Sequence, residues 1–272
     1  MTTGGFGGEE IKQESSWRYP LGVFLATLLL SAILLYFYLG PGVSDLSGNN
    51  ISPAVSEEPV ELAVGDARFS VPANYTVSPR DRRAGAREEL NLYALWPTFS
   101  GFTAARRDEF LESEPDGRRI DITIAARTSP FGEADRIDRL YKPNTTNARG
   151  ARTSFQLQRY EFRAQRSNVP TNGYAESELY LGETADGAPI ALFCTLERED
   201  APTLDCWREY ELTERVSVIY RFKRPYLAEW RKIDADVRAI DMDLRIDDDA
   251  TPSARARPAA PAASAADETS DG

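Results

Sequence analysis

Two pairs of acidic residues have a spacing that acid–base catalysis could use. Glu176 and Glu178 form one pair, and Glu209 and Glu211 form the other. Alternate residues of a β-strand share a face, so each pair could hold two carboxyl groups about 5–10 Å apart, as in glycoside hydrolysis. Because the chain contains 43 acidic residues, such pairs are also expected without any catalytic role. An exported carboxylate-dependent hydrolase is therefore only the alternative to the main prediction.

Several other chemistries are excluded by the residues that the chain lacks. None of the 272 residues is histidine, so the chain cannot build a Ser-His-Asp triad, a Cys-His dyad or a His-ligated metal site. It also has no CxxC motif for thiol–disulfide catalysis. We therefore predict a protein that is not an enzyme, with no catalytic, cofactor-binding or metal-binding residues.

A group of arginine and aromatic residues is the candidate docking site. The arginines lie in the segment PRDRRAGAR, and the aromatic residues follow in LWPTFSGFT. The group comprises Arg80, Arg82, Arg83, Arg87, Trp96, Phe99 and Phe102. Arginine binds carboxylates and phosphates in a forked geometry, so the group could dock an acidic partner or lipid headgroups. Alternatively, the arginines form a solvated loop and the rings fill the edge of a core.

Cys194 and Cys206 are the only cysteines, and we predict that they form a disulfide. They lie in two strand-like runs, PIALFCTLE and LDCWREYEL, on either side of the loop 197–205. A hairpin centred near residue 200 would place them opposite each other. An even number of cysteines in an exported domain favours a bridge, and two buried thiols are the alternative.

The most apolar segment, Leu21–Leu39, predicts a transmembrane helix. Its 19 residues contain no charge and would span about 28 Å as a helix, close to the thickness of the hydrocarbon layer. The apolar region is longer than that of a typical signal peptide, and no A-x-A cleavage pattern follows it. We therefore expect an uncleaved anchor, with a cleaved signal peptide as the alternative.

The charges that flank this segment predict its orientation. Lys12 and Arg18 precede it, and the next basic residue is Arg68. Under the positive-inside rule, the N-terminus lies in the cytoplasm and the C-terminal domain in the periplasm. The expected location is the bacterial inner membrane, crossed by this one helix.

Composition divides the chain into five parts. Residues 1–19 are a disordered cytoplasmic tail, 20–40 the transmembrane helix, 41–59 a linker, 60–246 the folded domain and 247–272 a disordered Ala/Pro-rich tail. The net charge is −11. Nucleic-acid binding is not expected, because it requires clustered positive charge.

Hydrophobic patterning within the domain predicts an α+β fold with a mostly antiparallel sheet. A hairpin is expected at 60–64 and 67–71, strands at 90–96 and 119–127, and short helices at 104–112 and 132–141. Five further strands are expected at 154–162, 175–182, 189–196, 204–212 and 215–222. A C-terminal amphipathic helix packs on the sheet through a stripe of residues three or four apart. The stripe is Leu227, Trp230, Ile233, Val237, Ile240 and Leu244.

The segment ARFSVPANY (Ala67–Tyr75) resembles the opening of PsbP/DcrB-like domains, in which a short hairpin leads through an F-x-V-P step into an aromatic residue. The later order of elements is also similar, and the whole chain resembles membrane-anchored envelope proteins of arginine-rich bacterial proteomes. These resemblances imply a non-enzymatic, membrane-tethered module that acts as an assembly, stabilising or binding factor for an envelope protein partner. A lipid or ligand carrier is a further alternative, and it would require a sizeable apolar cavity.

Overall fold

The computed structural model describes residues 17–39, 50–111, 114–147, 149–163, 177–197 and 204–246. It divides into two units, Met1–Asn50 and Ile51–Gly272. The first unit contains helix α1, Arg18–Leu39. Its segment Tyr19–Tyr36 has a mean hydropathy of 2.0 and is not buried, so α1 is long and apolar enough to cross a membrane as an anchor or to serve as a signal sequence. Residues 1–16 and 247–272 of the predicted tails and residues 41–49 of the predicted linker lie outside the described residues.

The second unit has a mixed α+β fold with mostly antiparallel sheet, which confirms the predicted fold class. Its first half contains β1 (Pro59–Val64), β2 (Ala67–Pro72), β3 (Gly85–Arg87), β4 (Glu89–Leu95), α2 (Arg107–Leu111), β5 (Arg119–Ala126) and α3 (Glu133–Arg136). Helix α3 continues as a π-turn, Ile137–Tyr141. The second half contains β6 (Ala151–Arg152), β7 (Gln158–Glu161), β8 (Ser177–Glu183), β9 (Pro189–Thr195), β10 (Asp205–Glu211), β11 (Val216–Lys223) and α4 (Trp230–Leu244).

Eight strands form the main sheet in the order β4-β5-β11-β10-β9-β8-β7-β6, and each neighbouring pair is antiparallel. A smaller sheet has the order β2-β1-β3. The β1–β2 hairpin turns at Gly65, whose φ of 57° favours glycine. Strand β3 pairs in parallel with β1, although the sequence predicted a loop there.

One face of the main sheet supports the principal core, which the β1–β2 hairpin and α4 cover. The predicted stripe of α4 is confirmed: Trp230, Ile233 and Val237 are each at most 1% exposed. Ile120, Ile122 and Ile124 alternate inward along β5 toward the same core. Burial of this apolar stripe is what fixes α4 on the sheet.

The opposite face is covered in two separate places. Near one edge, Phe110 of α2 packs with Phe102 on Tyr93 of β4. Toward the other edge, Ile137 and Tyr141 of the π-turn pack over β7, β8 and β9. The strands between these two covers, β5, β11 and β10, carry half-buried residues on this face.

Strands β9 and β10 separate partway along their length, and α3 fills the gap. Their pairing extends over three positions and ends at Leu192 opposite Arg208. Beyond it, the Ala191 N–H donates to Glu133 Oε1 at 2.9 Å. Arg136 donates to the carbonyl oxygen of Glu209 at 3.0 Å. Side chains of α3 therefore replace the missing ladder bonds, which a buried backbone requires.

Two elements differ in extent or geometry from those predicted. The strand expected at 154–162 is confined to β7, because Gln156 adopts a left-handed φ of 62° and interrupts the extended chain. The helix expected at 132–141 is present, but its second half has the wider π geometry.

Candidate functional site

Two of the four arginines predicted to dock a partner form hydrogen bonds within the domain. Arg82 donates to the hydroxyl of Thr76 at 2.9 Å and also to the carbonyl of Ser52. Arg87 donates to the carbonyl oxygens of Arg80 and Arg83. These guanidinium groups satisfy backbone acceptors and hold the turn that leads into β3, which reduces their capacity to bind a separate anion.

Two of the three predicted docking rings are buried. Phe99 is 6% exposed and Phe102 is 4% exposed. Phe102 packs edge-on against Phe110 at 5.4 Å between ring centroids. Neither ring can therefore offer a docking surface, which corrects the predicted role of both. Trp96 is half-buried and lies 5.0 Å from the ring of Tyr226.

The structure contains a disulfide between Cys194 and Cys206, which lie directly opposite each other in β9 and β10. Their Cα atoms are 4.0 Å apart and both residues are fully buried. The middle of the connecting loop, 198–203, lies outside the described residues.

The acid pairs considered for hydrolysis are bound to arginine wherever the structure describes them. Arg136 lies 3.4 Å from Glu209 Oε1 and 3.2 Å from Glu211 Oε1. Glu178 is paired with Arg224 and Arg159, and Glu176 lies outside the described residues. The described carboxylates of these two pairs are therefore not free to act as the acid and base of a hydrolase.

A buried ionic cluster that the sequence analysis missed centres on Arg208, which is 1% exposed. Its guanidinium bonds both carboxylate oxygens of Glu133, at 3.0 and 2.7 Å, and also bonds Asp234 of α4. The hydroxyl of Tyr220 donates to Asp234 at 2.9 Å. A signal was present in the alternation of β10, because Arg208 takes an inward position between Cys206 and Tyr210.

The electrostatics of this cluster reflect its burial. Burial raises the pKa of Glu133, and the hydrogen bonds and charge of Arg208 oppose that rise. Burial also raises the pKa of the Tyr220 phenol, and the adjacent Asp234 charge adds to the rise. Each charge is matched by hydrogen-bonding partners inside the core, so we interpret the cluster as structural.

Between the covers formed by α2 and the π-turn lies a stretch of sheet that we call the open face. It comprises Asp121, Thr123, Trp207, Ile219 and Arg221. The register aligns Asp121, Arg221 and Trp207 in one row across three strands. Thr123 and Ile219 are neighbours in the next row, beside Glu209. Arg221 is exposed and the other four are half-buried.

Trp207 of β10 is the aromatic residue of the open face and lies on the side next to the π-turn. The Trp207 ring stacks on the ring of Phe193, with 5.7 Å between their centroids. The guanidinium of Arg221 lies 5.5 Å from the centroid of the Trp207 ring, in range of a cation–π contact. Ile219 belongs to none of the three buried clusters of the described residues. Tryptophan and arginine are the residues most enriched at the energetic centres of protein interfaces.

A cavity of about 510 Å³ lies at the end of the β8–β9 hairpin. Its apolar lining includes Ile137, Leu181 and Ile190, and its polar lining includes Lys142 and Arg231. A lipid carrier would need a largely apolar cavity, and this lining is mixed.

No protein-family model matches the chain, and no curated protein matches it. A solved structure of an immunity protein from the type IV secretion system of Stenotrophomonas maltophilia is similar, with 17% identity and a TM-score of 0.49. The similarity covers 71% of this chain and 95% of that one. It does not single out PsbP/DcrB-like domains, and at this level it supports no conclusion about partner or activity. Fold and site together define an α+β protein with an apolar N-terminal helix and a sheet that the described residues cover only in part.

Proposed function

We propose that this protein is a non-enzymatic, membrane-tethered module of the bacterial envelope that binds a protein partner through its open face. The observation that carries the proposal is Trp207, half-buried beneath the exposed Arg221 on a part of the sheet that no other described element covers. In the proposed arrangement, α1 anchors the chain in the inner membrane with the N-terminus in the cytoplasm. Residues 41–59 then connect it to the periplasmic domain, 60–246.

The chemistry of the open face favours a protein as the partner. The open face and the residues beside it on the same strands carry charges of both signs. Asp121 is paired with the adjacent Arg119 at 2.8 Å, and nearby Lys223 is paired with Asp205 at 2.8 Å. A nucleic acid would require clustered positive charge, and this chain has a net charge of −11. An aromatic centre within a polar rim is the usual composition of a protein–protein interface.

Site-specific photo-crosslinking of the full-length chain in native membranes tests this proposal. A crosslinking amino acid is placed at Ile219 or Arg221 on the open face, and in a control at Met242 of α4, which is 66% exposed. We expect a discrete crosslinked protein from positions 219 and 221 that is absent from position 242. No crosslinked protein from the open face, or the same products at all three positions, would contradict the proposal.

Substitutions then measure the contribution of the open face. Truncation of a tryptophan that anchors an interface costs about 2 kcal/mol or more, so Trp207→Ala is expected to weaken binding of the crosslinked partner about 30-fold. Because Trp207 also stacks on Phe193, a folding defect could produce the same loss. The exposed Arg221→Glu avoids that ambiguity and is expected to weaken binding without changing the thermal melting temperature. Unchanged affinity in Arg221→Glu would place the binding site elsewhere.

A further inference from the structure

The cavity at the end of the β8–β9 hairpin is separate from the open face and has the dimensions of a small-molecule site. Its volume of about 510 Å³ lies within the range of about 300–1,000 Å³ that is typical of ligand pockets. Ile137 of the π-turn, Leu181 of β8 and Ile190 of β9 supply apolar lining. The cavity can therefore hold the apolar body of a ligand as well as a polar group.

The two glutamines of the cavity present hydrogen-bond donors to a ligand. Gln156 Oε1 accepts a bond from Arg231 at 2.7 Å, and Gln158 Oε1 accepts one from the Tyr160 hydroxyl at 2.8 Å. A glutamine side chain has one carbonyl oxygen and one NH₂ group. Each carbonyl oxygen already accepts one hydrogen bond, and these bonds orient the amides. Each NH₂ group can then donate to a ligand. Both glutamines are exposed.

The charges of the lining favour an anion. Lys142 and Arg231 are cationic and Glu183 is the one carboxylate among the lining residues. Arg231 is fixed by its bonds to Gln156 and to the Glu183 carbonyl oxygen, the latter at 3.2 Å. The Lys142 side chain is 48% exposed and contacts Asp138 on the solvent side at 3.1 Å. The chain as a whole has a net charge of −11, whereas the lining of this cavity contains more cations than carboxylates.

We propose that this cavity binds a small organic carboxylate. Lys142 and the NH₂ groups of Gln156 and Gln158 receive the carboxylate, because an ionised acceptor forms stronger hydrogen bonds with such donors than a neutral one. The aliphatic part of the ligand lies on Ile137 and Leu181. A free organic acid and the C-terminus of a peptide share this chemistry.

Calorimetric titration of the full-length chain in lipid nanodiscs tests the proposal. The probes are N-acetyl-leucine, its neutral amide, and a pentapeptide that ends in leucine with a free carboxylate. We expect saturable binding of the acid, and binding of the amide that is about tenfold weaker or less. Comparison of the acid with the pentapeptide distinguishes a free acid from a peptide terminus. No saturable binding of either carboxylate below about 10 mM, or equal binding of the acid and the amide, would overturn the proposal.

The chain offers a matched control for the cation. Lys142 pairs with Asp138 and Lys232 pairs with Asp236, both four residues apart on a helix, with lysine exposures of 48% and 53%. Lys142→Glu is expected to weaken acid binding at least about tenfold, and Lys232→Glu to leave it unchanged. Gln158→Leu, at an exposed strand position, is expected to weaken acid binding as well. Equal affinities in the Lys142 and Lys232 variants would show that the acid does not bind in this cavity.

Discussion

At the residue scale, burial changes the acid–base behaviour of Asp241 on α4. It is 6% exposed, and burial raises the pKa of its carboxyl group from 3.8 to about 6. Arg245, Tyr210 and Arg238 surround the carboxyl group and lower its pKa, but they do not fully offset the burial. Between pH 4 and 6 the folded protein therefore holds a proton at Asp241 that the unfolded chain has released.

This proton determines the sign of a pH effect on stability. Because the folded state binds more protons in that window, its free energy of unfolding decreases as the pH rises through about 6. Asp241→Asn removes this contribution, so the variant is expected to be more stable than the natural chain by about 2 kcal/mol at pH 7 and by less near pH 4. Urea denaturation at both pH values measures the difference. A stability difference that does not depend on pH would contradict the assignment.

At the scale of secondary-structure elements, Arg208 connects a strand to two helices. Its guanidinium bonds Glu133 of α3 and Asp234 of α4. The bond to Glu133 is formed where β9 and β10 begin to separate. The same carboxylate accepts a hydrogen bond from the Ala191 N–H. Loss of the arginine would remove the cation paired with Glu133 and one of the two cations paired with Asp234, whose other partner is Arg238 at 3.3 Å. A buried carboxylate that has lost its cation is a costly state in a protein core.

The contribution of Arg208 to the free energy of unfolding can be measured with one substitution and with a second variant that also neutralises its partners. Arg208→Met is expected to lower the free energy of unfolding by about 3–5 kcal/mol. The triple variant Arg208→Met/Glu133→Gln/Asp234→Asn should recover part of the loss, because the unpaired charges are gone. Arg139→Met is the control, since its pair with Asp135 is 64% and 55% exposed and contributes about 0–1 kcal/mol. Chemical denaturation measures the free energy of unfolding of each variant. A decrease for Arg208→Met as small as that for Arg139→Met would refute the stabilising role of the cluster.

At the scale of the whole molecule, the proposed function depends on whether α1 stays in the chain as an anchor. Its 22 residues reach about 33 Å as a helix, sufficient to span the hydrocarbon layer. Lys12 precedes α1 and Arg18 is its first residue, and both lie before the apolar segment Leu21–Leu39. The predicted orientation therefore depends on two charges.

Fractionation tests the anchor. The full chain of 30.3 kDa is expected to remain in the membrane after an alkaline carbonate wash, whereas cleavage of a signal peptide would yield a shorter, soluble product. Alkaline phosphatase fused to the C-terminus should be active, as it is in the periplasm. Lys12→Glu/Arg18→Glu is expected to reduce that activity severalfold, and the charge-conserving Lys12→Arg/Arg18→Lys to preserve it. An inactive fusion in the unaltered chain would reverse the proposed orientation.

Much of the fold could be predicted because it follows from local patterns. Alternation along β5 and β10 and the three-to-four spacing of α4 depend only on strand and helix periodicity. The position of Cys194 opposite Cys206 follows from the length of the loop between the two strands. The apolar run of α1 is equally local, since length and the absence of charge suffice to identify a helix that could cross a membrane.

The candidate site could not be predicted in the same way, because it depends on contacts between distant segments. The sequence predicted the strands that carry Trp207 and Ile219, but not the register that brings these residues to one face, nor that α2 and the π-turn cover only the two sides of that face. It singled out Phe99 and Phe102 for docking, and tertiary packing buried both. Arg208 meets partners 75 and 26 residues away in the chain. The sequence by itself determined the period and composition of each element; only the tertiary structure decided which faces are buried, because coverage is set by packing among remote elements.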